Sequence, residues 1–165
     1  KQSRAEAIAH RKLRSVPLGE HMTLQFEDEQ TIRRQIQEML HIERGGDAQV
    51  PEELAAYNPL IPKGRELVAT FMIEVDDPLR RARVLAGLGG IEETAFIMVN
   101  GERIAAQAEE DQDRTSAEGK ASSVQFVHFP FSSDDIAAFR SPKASKAPIL
   151  ARTLAAASAS DLSAR

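Results

Sequence analysis

The sequence contains no cysteine and no tryptophan, and a single tyrosine accompanies seven phenylalanines. Without thiols, disulfides, thiolate catalysis, Cys-ligated zinc and an intrinsic iron–sulfur cluster are all excluded. With so few rings, the core must be built mainly from aliphatic side chains. There is no basic excess either: 21 Lys and Arg stand against 25 Asp and Glu, a net charge of −4. That balance argues against broad affinity for nucleic acid or an anionic membrane. No apolar run approaches the ~18 residues that a membrane span needs. The glycines at 87–90 follow a helical pattern, whereas a phosphate-cradling loop must precede one. No serine sits in a Gly-x-Ser-x-Gly elbow. Cytoplasm is the expected compartment, and the start at Lys1 rather than Met is read as a trimmed one.

What is present suits one domain. The chain has 165 residues, 42% of them apolar, enough to bury a core. We expect a single α+β domain over 1–140. Beyond it, residues 141–165 are rich in Ala and Ser and read as a loosely attached tail, with Leu150 and Leu154 allowing one helix. The domain should hold an antiparallel or mixed sheet of about five strands with helices mainly on one face.

Local signals place the elements. Residues 4–14 are helical, with Ile8 and Leu13 as a weak apolar face and Arg4, Arg11, Lys12 and Arg14 making the helix basic. Pro17 and Gly19 should end it. His21–Glu27 alternates: Met22, Leu24 and Phe26 face one way and His21, Thr23, Gln25 and Glu27 the other, as in a half-buried strand. Asp28 is a good N-cap for a helix that Gly45 and Gly46 stop. Pro51 opens a short helix closed by Asn58-Pro59. Residues 66–75 are apolar on nearly both faces, the mark of a central strand. Asp77 caps a helix with Pro78 at its first position. Asn100-Gly101 between apolar runs predicts a type I′ hairpin. Residues 109–120 are polar and acidic and read as a loop. Residues 122–131 are a further strand, after which Ser133 caps a short helix.

The helix over 31–44 sorts its polar residues. At about 100° per residue, Ile32, Ile36, Met39 and Leu40 form one stripe. Glu43 falls within that stripe and Gln35 beside it, while Arg33, Arg34, Gln37 and His41 lie opposite. Glu38 and His41 have the Glu-x-x-His spacing of di-iron bundles, but His41 points away from the stripe and no second such pair exists, so an iron site is rejected. Glu43 is different. A carboxylate in an apolar stripe at the negative end of its helix needs company. Three readings stay open: it reaches past the core edge into solvent, it pairs with a cation such as one from the basic first helix, or it meets a ligand, a metal or its own proton. His21 and Glu27 share a strand face about 20 Å apart, too far to bind one ion. His128, in an apolar strand, reads as a satisfied core histidine. Tyr57 and Asn58 at a helix end suit packing and a turn.

Three stretches carry a resemblance: Leu18 to Glu43, opening Leu-Gly-Glu-His-Met-Thr-Leu-Gln-Phe-Glu-Asp-Glu; Ala56 to Glu74, opening Ala-Tyr-Asn-Pro-Leu-Ile-Pro-Lys-Gly; and Gly-Ile-Glu-Glu from Gly90. The sequence resembles, from about Arg4 to Phe139, the bacterial family catalogued as domain of unknown function 3501. The matching positions are Leu18, Gly19, His21, Phe26, Glu27, Gln35, Gln37, Glu38, Glu43, Tyr57, Asn58, Pro59, Glu66 and Glu74. His41 stands where that family more usually has Arg. The link Gly-Gly-Asp-Ala-Gln-Val-Pro is less apolar than usual, and the tail after Arg140 departs from the family ending. A first element of the family also reads as missing before Lys1.

The resemblance implies a protein with no established activity, often encoded beside rubrerythrin-like proteins and an iron–sulfur oxidoreductase. The expected function is therefore a non-catalytic accessory or partner-binding protein linked to those redox proteins, with no cofactor or metal of its own. The residues expected to contact a ligand or partner are His21, Glu27, Gln35, Glu43, Tyr57 and Asn58. The alternative is a small metal- or ligand-binding enzyme built on the Glu/His/Tyr residues within 21–58, which would require them to converge.

Overall fold

A computed structural model describes residues 4–109, 120–141 and, by backbone alone, 149–151. The chain opens with α1 (Arg4–Lys12), an edge strand β1 (Ser15–Pro17) and β2 (Met22–Phe26), then α2 (Glu29–Glu43) and α3 (Val50–Tyr57). Next come β3 (Glu66–Ile73), α4 (Pro78–Ala86), the hairpin β4 (Ala95–Val99) and β5 (Glu102–Ala105), and the short β6 (Gln107–Ala108). The described elements close with β7 (Val124–Pro130), α5 (Ser133–Arg140) and β8 (Ile149–Ala151).

The main sheet has five strands in the order β1-β2-β3-β7-β6, every neighbouring pair antiparallel. β3 lies at its centre, as its two-sided apolar pattern requires. A second sheet orders β5-β4-β8. Its hairpin turns at Asn100 and Gly101, with φ of 50° and 89°, the left-handed pair a type I′ turn demands. The fold is α+β.

Alternation along the strands splits the core in two. Met22, Leu24, Ala69, Phe71, Ile73, Val127 and Phe129 join Leu85 of α4 and Ile97, Val99 and Ile104 of the second sheet in the larger cluster. On the opposite face, Val68 meets Ile32 and Ile36 of α2 and Leu60, with Leu40, Tyr57, Ile61 and Phe126 packed around them. Of the stripe read from the helical wheel, Ile32 and Ile36 are buried and Met39 and Leu40 half-buried.

Several expectations are corrected. Pro17 does not simply end a helix. It closes the edge strand β1, which pairs Ser15 with Gln25 and Pro17 with Thr23, and an edge is where a residue without an N–H is tolerated. The proposed apolar face of α1 points outward: Ile8 is 59% and Leu13 87% exposed, and Ala7 is the buried residue. The cap of α5 is Ser132, not Ser133: its hydroxyl accepts from the Asp135 N–H while the Asp135 carboxylate accepts from the Ser132 N–H. The Ser132 hydroxyl also donates to Asp135 Oδ2 at 2.6 Å, and this bond, followed by the one from the Ser132 N–H, holds the Asp135 carboxyl below its usual value. Where a tail helix was expected, Ile149–Ala151 pairs with β4. Leu154, most of the acidic loop over 109–120 and the rest of the tail fall outside the described residues.

Candidate functional site

The N-terminal end of α2 gathers the densest polar network. Parity along β2 sends Gln25 and Glu27 to the face that α2 covers. Glu27 is only 8% exposed, and its carboxylate accepts from the hydroxyls of Thr31 on α2 and, at 2.5 Å, of Thr70 on β3. Its own N–H donates to Val68 O at 2.8 Å. A buried carboxylate is tolerable when hydrogen bonds replace its water, and two hydroxyls do so here. Thr31 is shared. Its N–H donates to Asp28 Oδ1 and its Oγ1 accepts from the Asp28 N–H, both at 2.9 Å, which makes Asp28 and Thr31 a capping box.

Asp28 also anchors the basic helix. His10 Nε2 lies 2.8 Å and Arg14 Nη2 2.7 Å from its Oδ2. Burial acts to raise the Asp28 pKa. The Thr31 N–H, the bond from His10 and the Arg14 charge outweigh it and hold the carboxyl below its ordinary value. One connected path thus runs from α1 through Asp28, Thr31 and Glu27 to Thr70 on the central strand.

The C-terminal end of α2 is built differently. Arg44 takes the left-handed conformation at φ 56°, so the helix stops with Glu43 on its last turn. Glu43 is exposed; of the three readings of this residue, the one in which it reaches past the core edge is the one observed. The basic α1 reaches Asp28, not Glu43. Glu43 accepts instead from the Gln49 amide, whose Nε2 also donates to the buried Glu53 at 2.7 Å. Gln49 Oε1 in turn accepts from the Gly45 N–H at 3.0 Å. The amide fastens the polar link between α2 and α3.

The remaining expected residues are dispersed. His21 sits in the β1–β2 turn with Nε2 3.2 Å from Arg80 Nη2 of α4. Gln35 and Asn58 are exposed. Tyr57 packs edge-on against Phe126, ring centroids 6.5 Å apart. The six residues therefore occupy separate places: Glu27 beneath α2, Tyr57 in the smaller core, Glu43 at a helix end, and His21, Gln35 and Asn58 at the surface. Among the described residues no group of three His, Asp or Glu side chains is placed to hold a metal ion, and no helix is long and apolar enough to cross a membrane.

Sequence reasoning missed a second cluster. His128 is not in the core; its side chain is 17% exposed, with Nδ1 3.0 Å from Glu66 Oε2 and Nε2 3.0 Å from Glu109 Oε2. The carboxylates stand at opposite edges of the ring, so the three groups do not converge on one point. Thr70 was also missed, although it is the one polar residue in Leu-Val-Ala-Thr-Phe-Met-Ile. That exception in a two-sided apolar strand was the available signal. Glu109 borders an irregular polar stretch, and nothing local marks it.

A family model described as "Protein of unknown function (DUF3501)" matches residues 1–158, which carries the likeness beyond the Arg4 to Phe139 span of the resemblance. Among curated proteins nothing matches. A crystal structure of a novel protein of unknown function from Burkholderia pseudomallei K96243 is similar, with a TM-score of 0.76 and 39% identity over 88% of this chain and 82% of that one. With the match spanning nearly the whole chain, this protein belongs to the DUF3501 family.

Proposed function

We propose that this chain is a non-catalytic accessory protein that binds rubrerythrin-like and iron–sulfur redox proteins. The observation that supports a binding role is the use made of the polar side chains. Glu27, Asp28, Glu53 and His128 are each taken up by internal partners that join one element to another. What remains accessible along α2 from Gln35 onward is a mixed surface: Gln35, Glu38, His41 and Glu43 are exposed, and Ile42 is 65% exposed beside them. Leu54 of α3 is a further exposed apolar side chain, at 41%. Apolar anchors ringed by polar groups suit protein contacts. The choice of redox partners comes from the family resemblance.

The test uses the full chain with purified rubrerythrin-like protein and iron–sulfur oxidoreductase from a bacterium encoding all three, titrated by calorimetry. The reading expects saturable binding to at least one of them, weakened at least about tenfold by Ile42→Asp with the fold intact by circular dichroism. No heat or complex with either partner up to about 100 μM, weaker than most specific complexes, would overturn it.

A further inference from the structure

We propose that His128, clasped between Glu66 and Glu109, is a proton-dependent latch that holds the short strand β6 against β7. The argument begins with hydrogen-bond valence. Both ring nitrogens face carboxylate oxygens at 3.0 Å. Carboxylates only accept, so both contacts are hydrogen bonds only when both nitrogens carry protons. A neutral ring has one N–H and turns a lone pair toward the other carboxylate.

The elements around the ring decide which contact yields. His128 stands on β7 opposite Val68 of β3 and Gln107 of β6. Among the described residues, the charged groups in contact with it are Glu66 from β3 and Glu109 from the segment after β6. Glu66 belongs to the eight-residue central strand, and its Oε1 also accepts from the Lys63 N–H at 3.3 Å. Glu109 has weaker support. It follows a two-residue strand whose register pairs only Gln107 with His128 and Ala108 with Val127. Its N–H donates to Phe126 O at 3.0 Å. So short a pairing is marginal alone, and the charge-assisted bond from His128 is the side-chain tie that secures it.

The latch has a definite sign. It is closed while the ring is doubly protonated and opens as the pH rises through the ring's titration. Glu109 and β6 then come away from the edge of β7. β6 is the end strand of the main sheet, so its release uncovers the edge of β7, and an uncovered edge can pair with another strand.

Two measurements on the full chain test this. Ring nitrogen shifts of His128, assigned by comparison with His128→Asn, follow its protonation from about pH 5.5 to about pH 9. Amide-exchange protection factors at Gln107 and Glu109, whose N–H groups face β7 in the alternating ladder, corrected for intrinsic rates, follow the strand. We expect protection there to fall on the order of tenfold in step with loss of the second ring proton. Protection at Phe71 in the central strand should not change. In Glu109→Gln, the pH dependence at these amides should vanish while the ring still titrates. A ring that is neutral across the range, or protection that is flat with pH and unchanged by Glu109→Gln, would overturn the proposal.

Discussion

Glu27 stands two residues before α2 begins, and Glu43 is the residue on which it ends. The wheel places Glu43 among apolar residues, and strand alternation places Glu27 on a solvated face, yet their burial is the reverse. In the last turn of α2, His41, Ile42 and Glu43 are all exposed, so the angular position of Glu43 does not imply cover. Glu27 lies where the helix starts across the sheet, so it is roofed by α2 and floored by β3. Angular periodicity gives the direction of a side chain. Burial also depends on how far the neighbouring element extends, and that is a property of the assembled fold.

This comparison can be broken at four points, in order of expected effect. Ile32→Ala removes a 2% exposed side chain from the core beneath α2 and should cost about 2–5 kcal/mol in chemical denaturation. Glu27→Ala leaves the Thr70 hydroxyl without its acceptor, while that of Thr31 retains Asp28 O at 3.0 Å, and a loss of about 1–3 kcal/mol is expected. Asp28→Ala removes the N-cap, for about 0.5–2 kcal/mol. Glu43→Ala, at the exposed end, should stay within about 0.5 kcal/mol of the parent. If Glu43→Ala proved as damaging as Glu27→Ala, the distinction between the two ends of α2 would be lost.

Asp28 also sharpens the contrast through pH. Its folded-state carboxyl is held below the ordinary value, so its contribution to stability is complete above that ordinary value. It is lost as the pH falls through the folded-state value. Acid denaturation of Asp28→Ala should therefore show a shallower loss of stability below about pH 4 than the parent.

Where a local rule suffices, the sequence is legible. The Asp28 cap, the Asn100-Gly101 turn, the two-sided apolar β3 and the buried stripe of α2 each follow from residue types at fixed spacing. Other features require partners far along the chain. Ile8 and Leu13 look like a docking face, but α1 is tied down through His10 and Arg14 to Asp28, so its polar side turns inward. Pro17 suits an end of helix as well as an edge strand until β2 is there to pair with it. The site divides in the same way. Glu27 is marked by its own sequence neighbourhood, whereas Thr70 and the Glu66–His128–Glu109 cluster join residues 43, 62 and 19 positions apart. No periodicity connects residues so distant.

The bond across α2 and β3 is best tested by a double-mutant cycle on Glu27→Ala and Thr70→Val, read from denaturation midpoints at neutral pH. The structure predicts that the two losses are not additive, with a coupling of about 0.5–3 kcal/mol. Strict additivity, within about 0.3 kcal/mol, would mean that the carboxylate and the hydroxyl act independently, and the network beneath α2 would not exist in solution.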